Sequence, residues 1–233
     1  MTRPGGDGTE RRVLDHDQVV AVALELLDEV GLDGFTMRAL ADRLGTFPNT
    51  VYWHVGNRDR VLALVVDKAL SHIAVPAPTQ VNWQDWLALA AHEYRRVLHA
   101  HPNTAALVAS HVLVSPPTLG LVEAVLSVLA SAGYTGSALT HAYNAFVGSL
   151  LGWVSVELAT TQQEPEGWQT EFARTLAALG QAQYPTITAH HDQLADQAIA
   201  LRWHGGSERP LDDSFDAAVR VWLDGLANGV SRH

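Results

Sequence analysis

The 233-residue chain has no cysteine. That excludes disulfide staples, thiolate metal sites and a cysteine nucleophile, and it fits a reducing cytoplasm, the compartment expected here. Long apolar runs are missing as well. The longest, from Ala145 to Val156, is well short of the roughly 20 residues that span a bilayer, so no membrane partner is expected. No alternating run of β-branched residues between turn signals marks a strand. Nor is there a Gly-x-Ser-x-Gly, a phosphate loop or a Gly-x-Gly-x-x-Gly after a strand, so no enzyme class announces itself. Twelve histidines raise the question of zinc. No two lie three or four residues apart, so no helix presents a His pair on one face. No cofactor, metal site or catalytic residue is expected.

Basic charge is scarce too. A formal net charge of −10 argues against a protein that holds nucleic acid by bulk electrostatics, since affinity for DNA comes largely from neutralising phosphates with Lys and Arg. The balance is uneven, however. Gly34 to Arg60 carries four Arg against two Asp, whereas eight basic and fifteen acidic side chains follow from Val61 onward. Any contact with DNA must therefore be short and near the N-terminus.

What the chain does have is helical periodicity almost throughout, which predicts an all-α fold. The opening MTRPGGDGTERR, polar and Gly-rich, reads as a disordered arm rather than a targeting segment. A first helix is expected from Asp15 to Val30, ended by Gly31. Thr36 stands as N-cap to a second, short helix that Gly45 stops. Pro48 suits the first turn of a third helix, which Gly56 ends. Asn57 caps a fourth that runs toward Ile73, and VPAPTQ is a Pro-punctuated linker. Beyond it, helical patterns cover Trp83 to His99, Asn103 to Ser110, Pro117 to Ala132, Ser137 to Thr161, Trp168 to Leu179, His190 to Trp203, and Phe215 to Val230. The domains expected are an arm over 1–13, a head with its connecting helix over 14–74, and a larger helical domain over 75–233.

The second and third helices, joined by a tight turn at Gly45, make a helix-turn-helix candidate, in which the second element enters the major groove. In TFPNTVYWHVGNR, Thr46 to Arg58, a two-turn helix can turn only Val51 and Val55 to the core. Pro48, Asn49, Thr50, Tyr52, Trp53 and His54 are left to face outward. Asn can pair with adenine, Thr can touch a thymine methyl, and Tyr, Trp and His donors can reach phosphates. Thr36 and Arg38 at the start of the second helix and Arg58 at the start of the fourth complete the expected DNA-binding set. Arg60 and the Arg3, Arg11 and Arg12 of the arm add further backbone attraction. A purely core role for Tyr52 and Trp53 leaves Asn49, Thr50, Pro48 and the flanking Arg residues unexplained.

The segment FTMRALADRLGTFPNTVYWHVGNRDRVLALVVDKAL, Phe35 to Leu70, resembles the DNA-binding region of the tetracycline-repressor (TetR) family, and VYWHVGNRDRVL is especially similar to its founding member. The resemblance covers about residues 14–72, with weaker similarity in NWQDW and FDAAVRVWLDGL. It implies a homodimeric, ligand-responsive repressor, an N-terminal three-helix helix-turn-helix domain and a larger C-terminal domain for effector binding and dimerisation. Its partners would be double-stranded operator DNA and a small-molecule effector. Two departures stand out: Phe47 occupies a place where many relatives carry a small polar capping residue, and Asn49 replaces a common Gly, Ala or Pro.

In the larger domain, the broad apolar stripe of the last helix and the pair Gly148 and Gly152 suit close helix approach. The resemblance implies that these two helices pair with their mates in a four-helix interface, setting the recognition helices roughly 34–36 Å apart. Trp86, Tyr94, His111, His141, Asn144, Trp153 and Trp168 supply apolar walls with polar heads and are the candidate ligand-binding residues. His111, five residues before Pro116, is similar in place to the family's metal-ligating histidine. Ala90 and Ala74 stand where tetracycline-binding relatives use polar side chains, so tetracycline itself is not the expected inducer; whether a metal ion accompanies the ligand stays open, and a buried, hydrogen-bonded His111 is a simpler reading than a metal ligand. Two alternatives stay open: a helical ligand-binding dimer or adaptor without sequence-specific DNA binding, and a metal-independent helical hydrolase.

Overall fold

A computed structural model describes residues 15–110, 115–159 and 211–230, with short pieces between 170 and 199. Among the described residues every regular element is helical. They fall into two compact units, Met1–Lys68 and Ala69–His233, divided within the fourth helix.

In the first unit, α1 (His16–Gly34) buries Val19, Ala23, Leu26 and Leu27 along one stripe. Gly31 breaks this helix at φ 67° but does not end it, because one further turn resumes as far as Gly34. The expected stop is thus an interruption, which only a residue without a Cβ makes cheaply. Next, α2 (Met37–Arg43) opens with the Thr36 hydroxyl accepting from the Ala39 N–H at 3.1 Å. It closes in a Schellman arrangement: the Thr46 N–H donates to Ala41 O, the Gly45 N–H donates to Asp42 O, and Gly45 sits at φ 65°. That turn lets α3 (Pro48–Val55) start after only four residues. A left-handed Gly56, at φ 80°, ends α3 with its N–H donating to Tyr52 O. Asn57 Oδ1 then accepts from the Arg60 N–H at 2.9 Å, capping α4 (Arg58–Leu70) as its sequence suggests.

The second unit is built on α5 (Trp83–Ala100), α6 (Pro102–Ser110), α7 (Pro116–Ser131), α8 (Gly136–Ala159) and the last helix, which follows a single described turn, α9 (Pro185–Ala189). Trp86 of α5 is fully buried, and its indole N–H donates to Pro76 O at 2.8 Å, pinning the Pro-rich stretch to the core. Phe146, Leu150, Val154 and Leu158 of α8 meet Phe215, Val219, Leu223 and Leu226 of α10 (Asp212–Val230) in one hydrophobic cluster. The Tyr134 hydroxyl, between α7 and α8, donates to Leu226 O at 2.6 Å. The helices expected over Trp168 to Leu179 and His190 to Trp203 lie largely outside the described residues.

A buried charge cluster fastens three of these helices. Arg95 of α5 grips Glu157 of α8 with two hydrogen bonds, at 2.9 and 2.7 Å, and reaches Asp212 of α10 at 2.7 Å. Its guanidinium lies 4.9 Å from the Phe215 ring centroid. Glu157 is 1% exposed and also accepts from the Leu211 N–H at 3.3 Å, while His99 Nε2 lies 3.3 Å away. Burial alone would push the Glu157 carboxyl up, but the hydrogen bonds and positive charge of Arg95, with His99 alongside, outweigh it and hold the carboxyl down at about 2.

Candidate nucleic-acid interface and ligand cavity

Only Val51 and Val55 of α3 are buried. Their isopropyl groups, one turn apart, seat the helix against the head. Around them Trp53 is 82% exposed, Phe47 80% and Tyr52 47%. Asn49 is exposed as well, and Pro48, Thr50 and His54 are half-buried. Trp53 and His54 stand edge to face with ring centroids 4.9 Å apart. Phe47 occupies the N-cap position with no side-chain capping bond. Its ring therefore has no part in holding the helix, a role the sequence had left undefined.

The arginines divide. Arg38 is exposed at the start of α2, and Arg60 is exposed in the first turn of α4. Arg58 is turned inward. Its Nε donates to Phe35 O at 3.1 Å and its Nη2 to Leu32 O at 2.8 Å, with the guanidinium 6.0 Å from the Phe35 ring centroid. Arg43 forms a two-pronged ion pair with Glu29, which ties α2 back to α1. The Thr36 hydroxyl, although exposed, is committed to the Ala39 cap.

In the second unit, a cavity of about 300 Å³ opens among α5, α7 and α8. Trp86, Ala90 and Tyr94 line it from α5, Leu121, Val122 and Val125 from α7, and Tyr143, Phe146 and Val147 from α8. Leu70, at the end of α4, and Ile73 also reach it. Of the ligand-binding residues expected from sequence, Trp86 and Tyr94 are therefore brought together. His111 and Trp168 lie outside the described residues. His141 and Asn144 are exposed on another side of α8, and Trp153 packs with Phe215 and Trp222 rather than lining the cavity.

Tyr143 was missed, although its signal is readable. Tyr143, Phe146 or Val147, and Leu150 repeat at helical spacing down one face, whereas Asn144 falls in register with Gly148 and Gly152 on another. That second face is open: nothing lies within 4 Å of where a Cβ would stand on Gly148 or Gly152. Val156 of α8 is 43% exposed and Val221 of α10 68%. Ala145, Ser149, Val221 and Gly225 border a groove between the two helices.

Among the described residues no three His, Asp or Glu side chains converge to hold a metal ion, and no helix is long and apolar enough to cross a membrane.

Residues 19–65 match the family model of bacterial regulatory proteins of the tetR family, and residues 75–229 match that of the tetracyclin repressor-like C-terminal domain. An HTH-type transcriptional regulator of Saccharopolyspora erythraea is 34% identical over 209 residues, covering 85% of this chain and 88% of that protein. The class C tetracycline repressor protein of Escherichia coli is 30% identical over 217 residues, or 91% of this chain and 90% of the repressor. Among solved structures, apo ActR from Streptomyces coelicolor superposes with a TM-score of 0.76 at 25% identity, covering 94% of this chain and 97% of ActR.

Proposed function

The chain belongs to the tetracycline-repressor (TetR) family of bacterial regulatory proteins, and from that premise we propose that it binds a near-palindromic operator as a homodimer, represses transcription there, and releases the DNA when a small molecule fills the cavity of the second unit. As a member of that family it is a DNA-binding, ligand-responsive transcriptional regulator.

The observation that carries this reading is α3, whose buried face is two valines and whose remaining face is polar or aromatic and open to solvent. Asn49 and Thr50 read base edges, adenine and thymine in particular. Phe47, large and apolar at the N-terminal end that enters the groove, supplies a contact for a thymine methyl. Tyr52, Trp53, His54 and Arg38 hold phosphates. Pro48 and Thr36 shape and cap the helices that present them. Arg58 braces the head from inside, because its two observed hydrogen bonds go to main-chain carbonyls.

Residues 14–74 then form the DNA-binding domain, 1–13 a basic-tipped arm, and 75–233 the effector and dimer domain. The open faces of α8 and α10 support pairing with a second copy, since exposed small and apolar residues at helical spacing suit close helix packing. Release works by population shift: the effector binds better to a conformation with low operator affinity. The protein acts in the cytoplasm and carries out no catalysis.

The test is selection of bound sequences from a random duplex pool, followed by gel shifts. Asn49→Ala and Thr50→Ala should each lose about 1–3 kcal/mol of affinity for the selected site while binding random DNA as before. Equal loss on both kinds of DNA would remove the reading of α3 as the specificity element.

A further inference from the structure

The cavity's chemistry narrows what can occupy it. No acidic, basic or histidine side chain lines it among the described residues, and its rings come from Trp86, Tyr94, Tyr143 and Phe146. An ionised ligand would exchange hydration for apolar walls with no counter-charge among the described residues, a cost that ordinarily prevents binding. The Trp86 N–H is already bound to Pro76 O, and the Thr118 hydroxyl takes a hydrogen bond from Ser115 at 3.0 Å. Tyr94 and Tyr143 differ. Both line the cavity, neither hydroxyl is bonded to another described residue, and a phenol in that position offers its O–H to whatever fills the space. Burial raises both above the ordinary tyrosine range, so both stay protonated and act as donors.

We propose that this cavity takes an uncharged, flat aromatic molecule bearing a hydrogen-bond-accepting carbonyl, gripped by the phenols of Tyr94 and Tyr143 and stacked against the neighbouring rings. This rests on the reading of the cavity as the effector site and adds the class of effector. The volume admits a molecule of a few fused rings, and the two donors give it orientation within otherwise apolar walls.

Three tricyclic probes of one shape separate the contributions: 9-fluorenone with the carbonyl, fluorene without it, and fluorene-9-carboxylate with a charge. Equilibrium dialysis against the full-length protein should show fluorenone bound about fivefold or more tightly than fluorene, and the carboxylate at least about a hundredfold more weakly. In Tyr94→Phe combined with Tyr143→Phe the fluorenone preference should fall to about one while fluorene affinity stays put, which a merely structural role for the phenols would not produce. Equal binding of the carboxylate, a fluorenone preference that survives the double variant, or no binding of any probe would each overturn the proposal. A parallel operator gel shift keeps the two readings apart. Fluorenone bound with the expected preference but without operator release supports the cavity chemistry and defeats the effector role. Release by ionic or metal-chelated compounds alone, with fluorenone excluded, does the reverse.

Discussion

Replacing Glu157 by Gln keeps the shape of a side chain that is 1% exposed and removes its charge. Arg95 then retains only Asp212, which is largely open to solvent, and the neutral amide cannot accept both prongs as a carboxylate does. Breaking a buried pair from one side typically costs about 3–5 kcal/mol, because the remaining charge stays desolvated. The acid response gives a second, independent measure. The native carboxyl lies at about 2 against an ordinary 4.5, so its contribution is complete above the unfolded value and is lost as pH falls toward the native one. Each unit of difference is worth about 1.4 kcal/mol, for a total of about 3.4 kcal/mol, of which about 1.4 kcal/mol is gone by pH 3.5. Urea denaturation of the wild type and Glu157→Gln between pH 7 and 3.5, at one fixed protein concentration, reads both effects. The stability gap between the two should be largest at neutral pH and narrow by that amount on acidification. A gap below about 1 kcal/mol at pH 7, or one that does not narrow, would refute the assignment of this cluster as the fastening between α5, α8 and α10.

Arg38→Ala should lower the slope of log affinity against log salt by about 1 and leave stability alone, whereas Arg58→Ala should leave that slope unchanged and cost roughly 1.5–3 kcal/mol in denaturation, since it removes charge-assisted bonds to two carbonyls. Thr36→Ala should destabilise the protein by about 1 kcal/mol through the lost cap of α2, with Thr36→Ser retaining most of it. Val221→Asp, placing a charge on the open face of α10, should convert a dimer to monomers in light scattering and abolish cooperative operator binding. Phe47→Ala should weaken binding to the selected operator but not to the same duplex with uracil in place of the contacted thymine, as titrations of both duplexes will show.

The head was legible because its signals are local. Pro48 and Asn57 open helices, Gly45 and Gly56 end them, and the two-valine spacing fixes which side of α3 goes inward. Gly31 misled only by one turn. Arg58 was not legible, since the carbonyls it meets belong to Leu32 and Phe35, more than twenty residues upstream, and nothing nearby announces them. The cavity was the least legible part. Its walls are ordinary apolar side chains, and only the convergence of α5, α7 and α8 separates a lining Tyr143 from a packed Trp153. Polarity had pointed to His141 and Asn144, but polar residues on an otherwise apolar helix mark its exposed side as readily as a binding site.

The division of labour within α3 bears on how such a regulator changes over evolutionary time. Two valines anchor the helix, and the other six positions are at least partly exposed. Substitutions at exposed positions usually move stability by only about ±0.5 kcal/mol. New operator preferences are therefore accessible through single mutations at those positions without passing through unfolded intermediates. A duplicated copy can acquire a different target while its sensor remains unchanged.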